Sequence, residues 1–426
     1  MVTAGVRWAL RALAVVGFST LLGGGVAARA DDEKKDPLRE ELLKLNSITG
    51  ETAQKDKLRA LAKDKDKAKK LVLEAAKMVK EAKGKEHPFN YGGALIVARL
   101  AHFTRQYDVA EPFYEHLIEV ATKLKSGDKM VNAYSGLVDV YFASKKYALA
   151  SETCEKFMDL VEPVEVVERQ LLFYERLAHA KAKEEKFDEA LKIADELIGL
   201  NKNGAAFFLQ TKGAILREQG KLPAAIEAYN ESLDKIDANK ILKQEEKDEF
   251  KDDTRYILTG LYIDNKEVDK AAKQLQTLIK RHPDNATYKN DLGFFWCDND
   301  LNLDESEKLI KEAIDLDKKE KEQEKKDGKI DKVVPNAAYL DSLGWVLFKQ
   351  KKYKEALEPL KLASADADDG AHLEIWDHLA DCYMALGQKK DAIATWEKGL
   401  KYEDLSKRDS ERRRKVSEKL KKARAE

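Results

Sequence analysis

The sequence of 426 residues contains little of what interrupts helices or cross-links small folds. It has 8 prolines and 3 cysteines, and aromatic residues make up 8% of it. With so few prolines, long helices can run without a break. Cys154, Cys297 and Cys382 are too few and too far apart for a disulfide framework. We expect them to be buried as small apolar groups, and a single bridge between two of them stays open.

A marked excess of charge of one sign is also missing. The sequence has 77 Lys and Arg against 78 Asp and Glu, and the two signs alternate along the chain. A nucleic-acid-binding protein needs a basic stripe or patch, which this pattern does not provide. The sequence therefore predicts no nucleic acid among the partners.

Recognisable catalytic and metal-binding motifs are absent from the sequence. It has no His-Glu-x-x-His, Gly-x-Ser-x-Gly, Gly-Lys-Ser/Thr or Cys-x-x-Cys motif. His372 and His378 are six residues apart, a spacing that does not bring two ligands to one helix face, so we interpret them as surface histidines. The sequence predicts no catalytic residue, no cofactor and no metal, and therefore no enzyme.

One acidic segment resembles the start of a calcium-binding loop. Its alternating polar residues are Asp298, Asp300, Asn302 and Asp304. An EF-hand loop needs Gly and a bidentate Glu at two later positions, where this sequence has Leu303 and Leu309. We therefore favour a polar turn between two helices, with Asp304 capping the second helix.

The first 30 residues have the layout of a secretory signal peptide. Arg7 and Arg11 precede an apolar run over residues 12–22, and Ala28-Arg29-Ala30 offers a cleavage site. A membrane span needs about 20 apolar residues, and this run has eleven. We expect a cleaved signal, a periplasmic or secreted protein and no membrane span after cleavage. An uncleaved N-terminal anchor is the alternative.

What the sequence has in abundance is helix formers, arranged in a repeated unit. From about residue 91, a helix with a small residue in its middle is followed by a short polar turn and a second helix. The small residues of the first helices include Gly213, Gly293, Gly344 and Ala380. The anchor residues near the start of the second helices are Ala110, Ala150, Ala190, Ala225, Ala271, Ser306, Ala356 and Ala392. One such hairpin cannot cover its own apolar face, so the units must stack.

These segments resemble tetratricopeptide repeats of the exported bacterial type, whose period is about 34 residues. Segments 209–229, 339–356 and 376–396 carry the resemblance best, whereas the first three repeats lack the first-helix Gly. The resemblance implies an all-α fold, a right-handed α-solenoid of about eight helical hairpins with capping helices at both ends.

The N-terminal pattern and this resemblance together predict four regions. Residues 1–30 are the signal peptide, and residues 31–90 are a charged leader with N-terminal capping helices. Residues 91–404 are the superhelical array, and residues 405–426 are a charged C-terminal capping helix with Val416 and Leu420 one turn apart. Within the array, the charge run 317–332 predicts either a solvated helix extension or a mobile loop.

The resemblance also implies where a partner binds, because the first helices line the inner surface of the stack. The inward positions of the earlier repeats include Arg99, His102, Asn132, Asp139, Phe142, Glu175, His179, Gln210, Arg217 and Tyr256. The candidate partner-binding residues of the last repeats are Asn290, Phe294, Asp341, Trp345, Phe348, Asp377 and Asp381. The aromatic residues would be interface anchors, with packing between repeats as their alternative role. The three aspartates would make this end acidic and suited to basic or polar peptides.

The function predicted from these features is a non-enzymatic scaffold or adaptor that binds a protein or peptide in its groove outside the cytoplasm. A structural subunit of an envelope complex, with self-association, is one alternative. An enzyme or enzyme accessory factor with a non-standard site is the other.

Overall fold

The computed structural model describes residues 36–366, 370–402 and 407–425, and within these ranges the only regular structure is helical. The predicted signal peptide lies outside the described residues. The α-helices are α1 (Pro37–Leu43), α2 (Glu51–Ala62), α3 (Lys65–Glu81), α4 (Tyr91–Phe103), α5 (Tyr107–Lys123), α6 (Gly127–Ala143), α7 (Tyr147–Met158), α8 (Val164–Lys183), α9 (Phe187–Leu200), α10 (Ala205–Glu218), α11 (Leu222–Lys235), α12 (Gln244–Asp264), α13 (Val268–Arg281), α14 (Ala286–Asp298), α15 (Leu303–Lys326), α16 (Ala337–Lys349), α17 (Tyr353–Ala365), α18 (Leu373–Ala385), α19 (Lys389–Gly399) and α20 (Lys407–Ala425). Short 3₁₀ turns follow α1 and α11, at Lys44–Ser47 and Ile236–Ala238.

Helices α4 to α19 form eight consecutive hairpins, in which each even-numbered helix packs against the odd-numbered helix that follows it. The eight predicted anchor residues all lie in the second helices, and all are 0% exposed. A side chain larger than these would hold the two helices apart, because interiors are close-packed. The predicted all-α fold of about eight repeated hairpins is confirmed.

The turn inside each hairpin has a residue in the left-handed conformation with φ between +56° and +81°, and the turn between α14 and α15 has a second one, Asn302, with φ +44°. The N–H that follows the left-handed residue shared by all the turns donates to the carbonyl five residues earlier at 2.8–2.9 Å, which satisfies the end of the first helix. Six of these eight residues are not glycine, although glycine adopts this conformation most easily. The eight residues are Arg105, Lys145, Glu185, Gly220, Lys266, Asp300, Lys351 and Gly387.

The first-helix glycines are sites of close helix approach, as predicted. A Cβ atom added to Gly213, Gly293 or Gly344 would lie 2.4–2.7 Å from a side-chain atom of the second helix. Gly136 in α6 has a corresponding role that the sequence pattern did not predict. A Cβ atom there would lie 2.1 Å from the Tyr114 ring of the preceding helix α5.

The hairpins belong to two compact units. Unit 1 extends to Ile241 and contains α1–α11. Its first hairpin, α4–α5, is covered by α1–α3, and Leu42 and Leu45 are each 1% exposed. The predicted charged leader is therefore packed from α1 onward, where Arg39 also pairs with Glu74 at 2.6 Å.

Unit 2 begins at Leu242 and contains α12–α20. Its helix α15 continues to Lys326, so the first part of the charge run is a helix extension, and the segment after Asp327 is irregular. The last helix, α20, packs on α18 and α19 with Val416 0% and Leu420 8% exposed. These apolar residues lie on one side of an otherwise charged helix.

The three cysteines are buried and free. Burial raises the pKa of the Cys154 thiol to about 12 and that of Cys382 to about 11, so neither is a reactive thiolate at neutral pH. Among the described residues, no helix is long and apolar enough to cross a membrane, and no group of three or more His, Cys, Asp or Glu side chains is placed to hold a metal ion.

Candidate partner-binding site

The seven predicted partner-binding residues lie on α14, α16 and α18, the first helices of the last three hairpins. Most of them meet around one residue that the prediction left out, His378. The ring of Trp345 stacks on His378 with centroids 4.0 Å apart, and Phe294 approaches the same imidazole at 6.3 Å. Phe348 stacks on the other side of the cluster, 4.9 Å from Trp345. We call these four side chains, together with Asp341, the His378 cluster.

The aromatic members of the His378 cluster are used mainly for packing between repeats. Trp345 is only 9% exposed, and its indole Nε1–H donates to Asp298 Oδ1 at 3.2 Å. Phe294 and Phe348 are half-buried against the same apolar cluster. The contacts of these residues therefore support a role in packing between repeats. Their role in partner binding stays a prediction.

His378 is not a surface histidine, in contrast to the interpretation from its spacing. It is 1% exposed, and its Nδ1 lies 3.0 Å from both carboxylate oxygens of Asp341, which is itself 5% exposed. Burial alone would lower the pKa of His378, but the Asp341 carboxylate outweighs it and holds the pKa above its ordinary value. The pair is therefore almost completely buried, and little of the imidazole surface is exposed to solvent.

The expected open acidic surface is also absent, because cations of the chain neutralise it. The Lys419 ammonium of α20 donates to Asp377 Oδ1 at 2.8 Å and to Asp381 Oδ2 at 2.6 Å. Asp377 further accepts a hydrogen bond from the Trp396 indole at 3.0 Å and pairs with Arg412 at 3.7 Å. The prediction that these aspartates present free negative charge to a basic peptide is therefore wrong.

Burial raises the pKa of Asp381, and the neighbouring Asp377 carboxylate raises it further. Lys419 opposes both effects.

A cavity of about 340 Å³ remains between α18 and α20, and both acidic and basic groups line it. Its lining residues are Asp298, Trp345, Asp377, His378, Asp381, Glu411, Arg412, Lys415 and Lys419.

The acidic segment between α14 and α15 is the polar turn that we favoured over a calcium loop. Its oxygens bind side chains at the C-terminal end of α16 and just beyond it: Lys349 pairs with Asp300 at 2.9 Å, and Gln350 donates to Asp304 at 3.2 Å. The predicted cap is wrong, because the residue before α15 is Asn302, with φ +44°, and Asp304 already lies inside the helix. The turn lies inside the hairpin α14–α15, and its contacts connect this hairpin to the next one.

Unit 1 has a more open cavity, of about 520 Å³, on the first helices α4 and α6. We call it the Arg99 cavity. Four predicted inward positions line it. Of the residues that were missed, Arg105 lies in a turn and Tyr107 and Tyr114 lie in the second helix α5, whereas the other three lie on the first helices themselves. Its lining residues are Arg99, His102, Phe103, Arg105, Tyr107, Tyr114, Asn132, Ser135, Gly136 and Asp139.

The Arg99 cavity carries positive charge. Asp139 is engaged by Arg176 at 2.8 Å, whereas neither Arg99 nor Arg105 forms an ion pair with a described residue. Phe103 is 51% exposed beside them. Burial raises the pKa of Tyr114 to about 12, and Arg99 opposes that shift from inside the cavity.

A third cavity, of about 680 Å³, lies where the N-terminal helices meet α5 and α6. Its wall includes His87 and His116, whose rings stack with centroids 3.6 Å apart. Burial lowers the pKa of His116, and His87 lowers it further. Apolar side chains such as Ile48, Val120 and Leu124 form much of the remaining surface.

Comparison with known proteins connects the hairpins to one family. Tetratricopeptide-repeat family models match residues 175–240, 253–285 and 373–404. No curated protein sequence matches the chain. The family match supports a scaffold for protein–protein interaction, since stacked repeats of this kind form extended binding surfaces.

Solved structures that resemble the chain are distant. A tetratricopeptide repeat protein from Parabacteroides merdae is 13% identical, with a TM-score of 0.45 over 71% of this chain and 98% of that one. A repeat protein from Cytophaga hutchinsonii is 17% identical, with a TM-score of 0.40 over 64% and 97% of the two chains. MamA from Desulfovibrio magneticus is 19% identical, with a TM-score of 0.33 over 45% and 92%. The assignment therefore rests on the three repeat matches and on the eight hairpins themselves: the chain is a tetratricopeptide repeat protein.

Proposed function

We propose that the protein is a non-enzymatic scaffold that works outside the cytoplasm and binds an acidic segment of a partner protein in the Arg99 cavity. The observation that carries the proposal is the charge of this cavity. Neither Arg99 nor Arg105 forms a salt bridge with a described residue, although Arg99 is close enough to Glu51 to help lower the pKa of that carboxyl. The one acidic group of the wall, Asp139, is engaged by Arg176. A carboxylate from a partner would supply the missing charge in a partly dehydrated site.

Unit 1 suits this role better than the predicted site in unit 2. The first helices of the last hairpins use Trp345, Asp341 and Asp377 for contacts within the chain. In contrast, the Arg99 cavity leaves Phe103 half-exposed next to two arginines. Exposed aromatic residues and arginines are the side chains that most often anchor protein interfaces.

Partner capture with matched baits tests the binding proposal. Wild-type protein, Arg99→Gln and Phe103→Ala would be immobilised, incubated with an envelope extract and compared by quantitative mass spectrometry. Arg59→Gln is the control, because Arg59 is an exposed arginine of α2 outside the cavity. We expect one set of proteins to be lost with both cavity variants and kept by the control. Equal capture by all four baits would contradict the assignment of the cavity.

The proposed location is supported by the signal-like pattern of the first 30 residues. Fractionation of cells that express the chain with a C-terminal tag would test it. The expected result is a tagged protein in the periplasm or medium, with Asp31 as its first residue. Recovery of the uncleaved chain from the cytoplasmic fraction would contradict it.

A further inference from the structure

Asp291 in unit 2 is a carboxylate that no cation of the described residues pairs with. It lies half-buried on α14, the same helix as Tyr288, and contacts Tyr256 of the neighbouring first helix α12. The hydroxyl of Tyr256 on α12 donates to Asp291 Oδ2 at 2.7 Å, and Asn290 Nδ2 donates to Asp291 Oδ1 at 3.3 Å. Burial raises the pKa of Asp291, and only these two neutral donors oppose the shift. This pattern contrasts with Asp377 and Asp381, which both bind Lys419.

The surroundings of Asp291 also attract positive charge. The rings of Tyr256 and Tyr288 lie side by side, with centroids 5.5 Å apart. Burial raises the pKa of the Tyr288 hydroxyl, and the carboxylates of Asp252, Asp253 and Asp291 raise it further. Two aromatic faces next to a carboxylate form an environment that favours a cation over water.

An unsatisfied acceptor lies in the same place. Asn290 is only 6% exposed, and its carbonyl oxygen Oδ1 has no hydrogen-bond partner among the described residues. The amide group of Asn290 lies against the Asp291 carboxylate through its Nδ2. A buried oxygen without a donor is costly, so a donor that enters beside Asp291 would be favoured there.

We propose that Asp291, Tyr256 and Tyr288 bind the side chain of an arginine or lysine from a partner polypeptide. The carboxylate would accept hydrogen bonds from the guanidinium or ammonium group, and the tyrosine rings would contact its charged face. Asn290 Oδ1 would accept a further donor. The site lies in unit 2 and is independent of the Arg99 cavity, so either assignment can fail alone.

A titration of the full chain with a single cationic side chain tests this site. The probe is N-acetyl-argininamide, and its neutral isostere N-acetyl-citrullinamide is the control ligand. The readout is the NMR resonances of ¹³C-labelled tyrosine rings, assigned with Tyr256→Phe and Tyr288→Phe. We expect argininamide to shift the signals of Tyr256 and Tyr288 saturably, and citrullinamide to leave them unchanged.

Asp291→Asn is expected to weaken argininamide binding by about tenfold or more, because a charge-assisted hydrogen bond is replaced by a neutral one. Asp269→Asn is the matched control, since Asp269 is an exposed carboxylate on the second helix α13, outside the proposed site. Asp291→Asn should unfold at the same or a higher urea concentration than wild type, because it removes an uncompensated charge. Equal shifts with both ligands, equal loss in the control variant, or unfolding of Asp291→Asn would each overturn the proposal.

Discussion

Replacing Trp345 distinguishes a packing role from a partner-binding role in the His378 cluster. Only 9% of Trp345 is exposed to solvent. It stacks on His378 at 4.0 Å and on Phe348 at 4.9 Å, and it donates to Asp298. Trp345→Ala would therefore leave a cavity between two repeats and remove the donor to Asp298.

The size of the effect follows from the buried area. A tryptophan that buries about 200 Å² at about 25 cal/mol per Å² contributes about 5 kcal/mol, and measured Trp-to-Ala changes in cores are about 3–5 kcal/mol. We expect Trp345→Ala to lower the free energy of unfolding of unit 2 by about 4 kcal/mol. Trp345→Phe keeps a ring in the stack and loses mainly the hydrogen bond, so we expect a loss of about 1–2 kcal/mol.

Urea unfolding followed by two signals measures this change. Far-UV circular dichroism reports the whole chain, whereas Trp296, Trp376 and Trp396 remain in unit 2 of the variant and report that unit by fluorescence. Phe103→Ala, at a half-exposed ring of unit 1, is the control and should change stability by less than about 1 kcal/mol. If Trp345→Ala unfolds at the wild-type urea concentration and captures fewer partners, the packing argument is refuted and the residue is an interface anchor.

Three further predictions concern the hairpins and the buried pair. Gly344→Ala should lower stability by about 1–3 kcal/mol in urea unfolding, because its Cβ would lie 2.4 Å from Leu360 Cγ. Gly387→Ala should cost about 1 kcal/mol in the same assay, because φ is +72° there and a Cβ atom disfavours the left-handed region. The raised pKa of His378 predicts that unit 2 is most stable below about pH 6.5 and loses stability as the pH rises through the folded-state pKa. His378→Phe removes the proton uptake that Asp341 favours, so its unfolding free energy should change less between pH 6 and pH 8.

The repeat could be predicted from the sequence because its signal is local and repeated. A small residue is required wherever two helices touch, and each of the eight anchors is fully buried. The turn conformation was harder to predict, since only Gly220 and Gly387 mark it, while residues such as Lys145 and Lys351 adopt the same φ. At those positions the hydrogen bond that closes the turn overrides residue preference.

The site could be predicted only in part, because it depends on pairs that are distant in the sequence. Asp377 looks like a free acid on its helix, and its partner Lys419 is 42 residues further along the chain. His378 looks like a surface residue by its spacing, but Asp341 of the preceding hairpin faces it, 37 residues earlier. The period of the repeat places Asp377 and His378 on a first helix. It does not predict how closely neighbouring first helices approach each other.

Helix α20 covers the hairpin α18–α19 with a charged surface. α20 contacts α18 and α19 much as the first helix of another hairpin would, and it buries Val416 and Leu420 on that side. Its other side exposes charged residues such as Arg414 and Glu418, which pair with each other at 2.7 Å. Along its described residues, this side of α20 presents ion pairs in place of the apolar face on which another hairpin would pack, which disfavours end-to-end polymerisation through this surface.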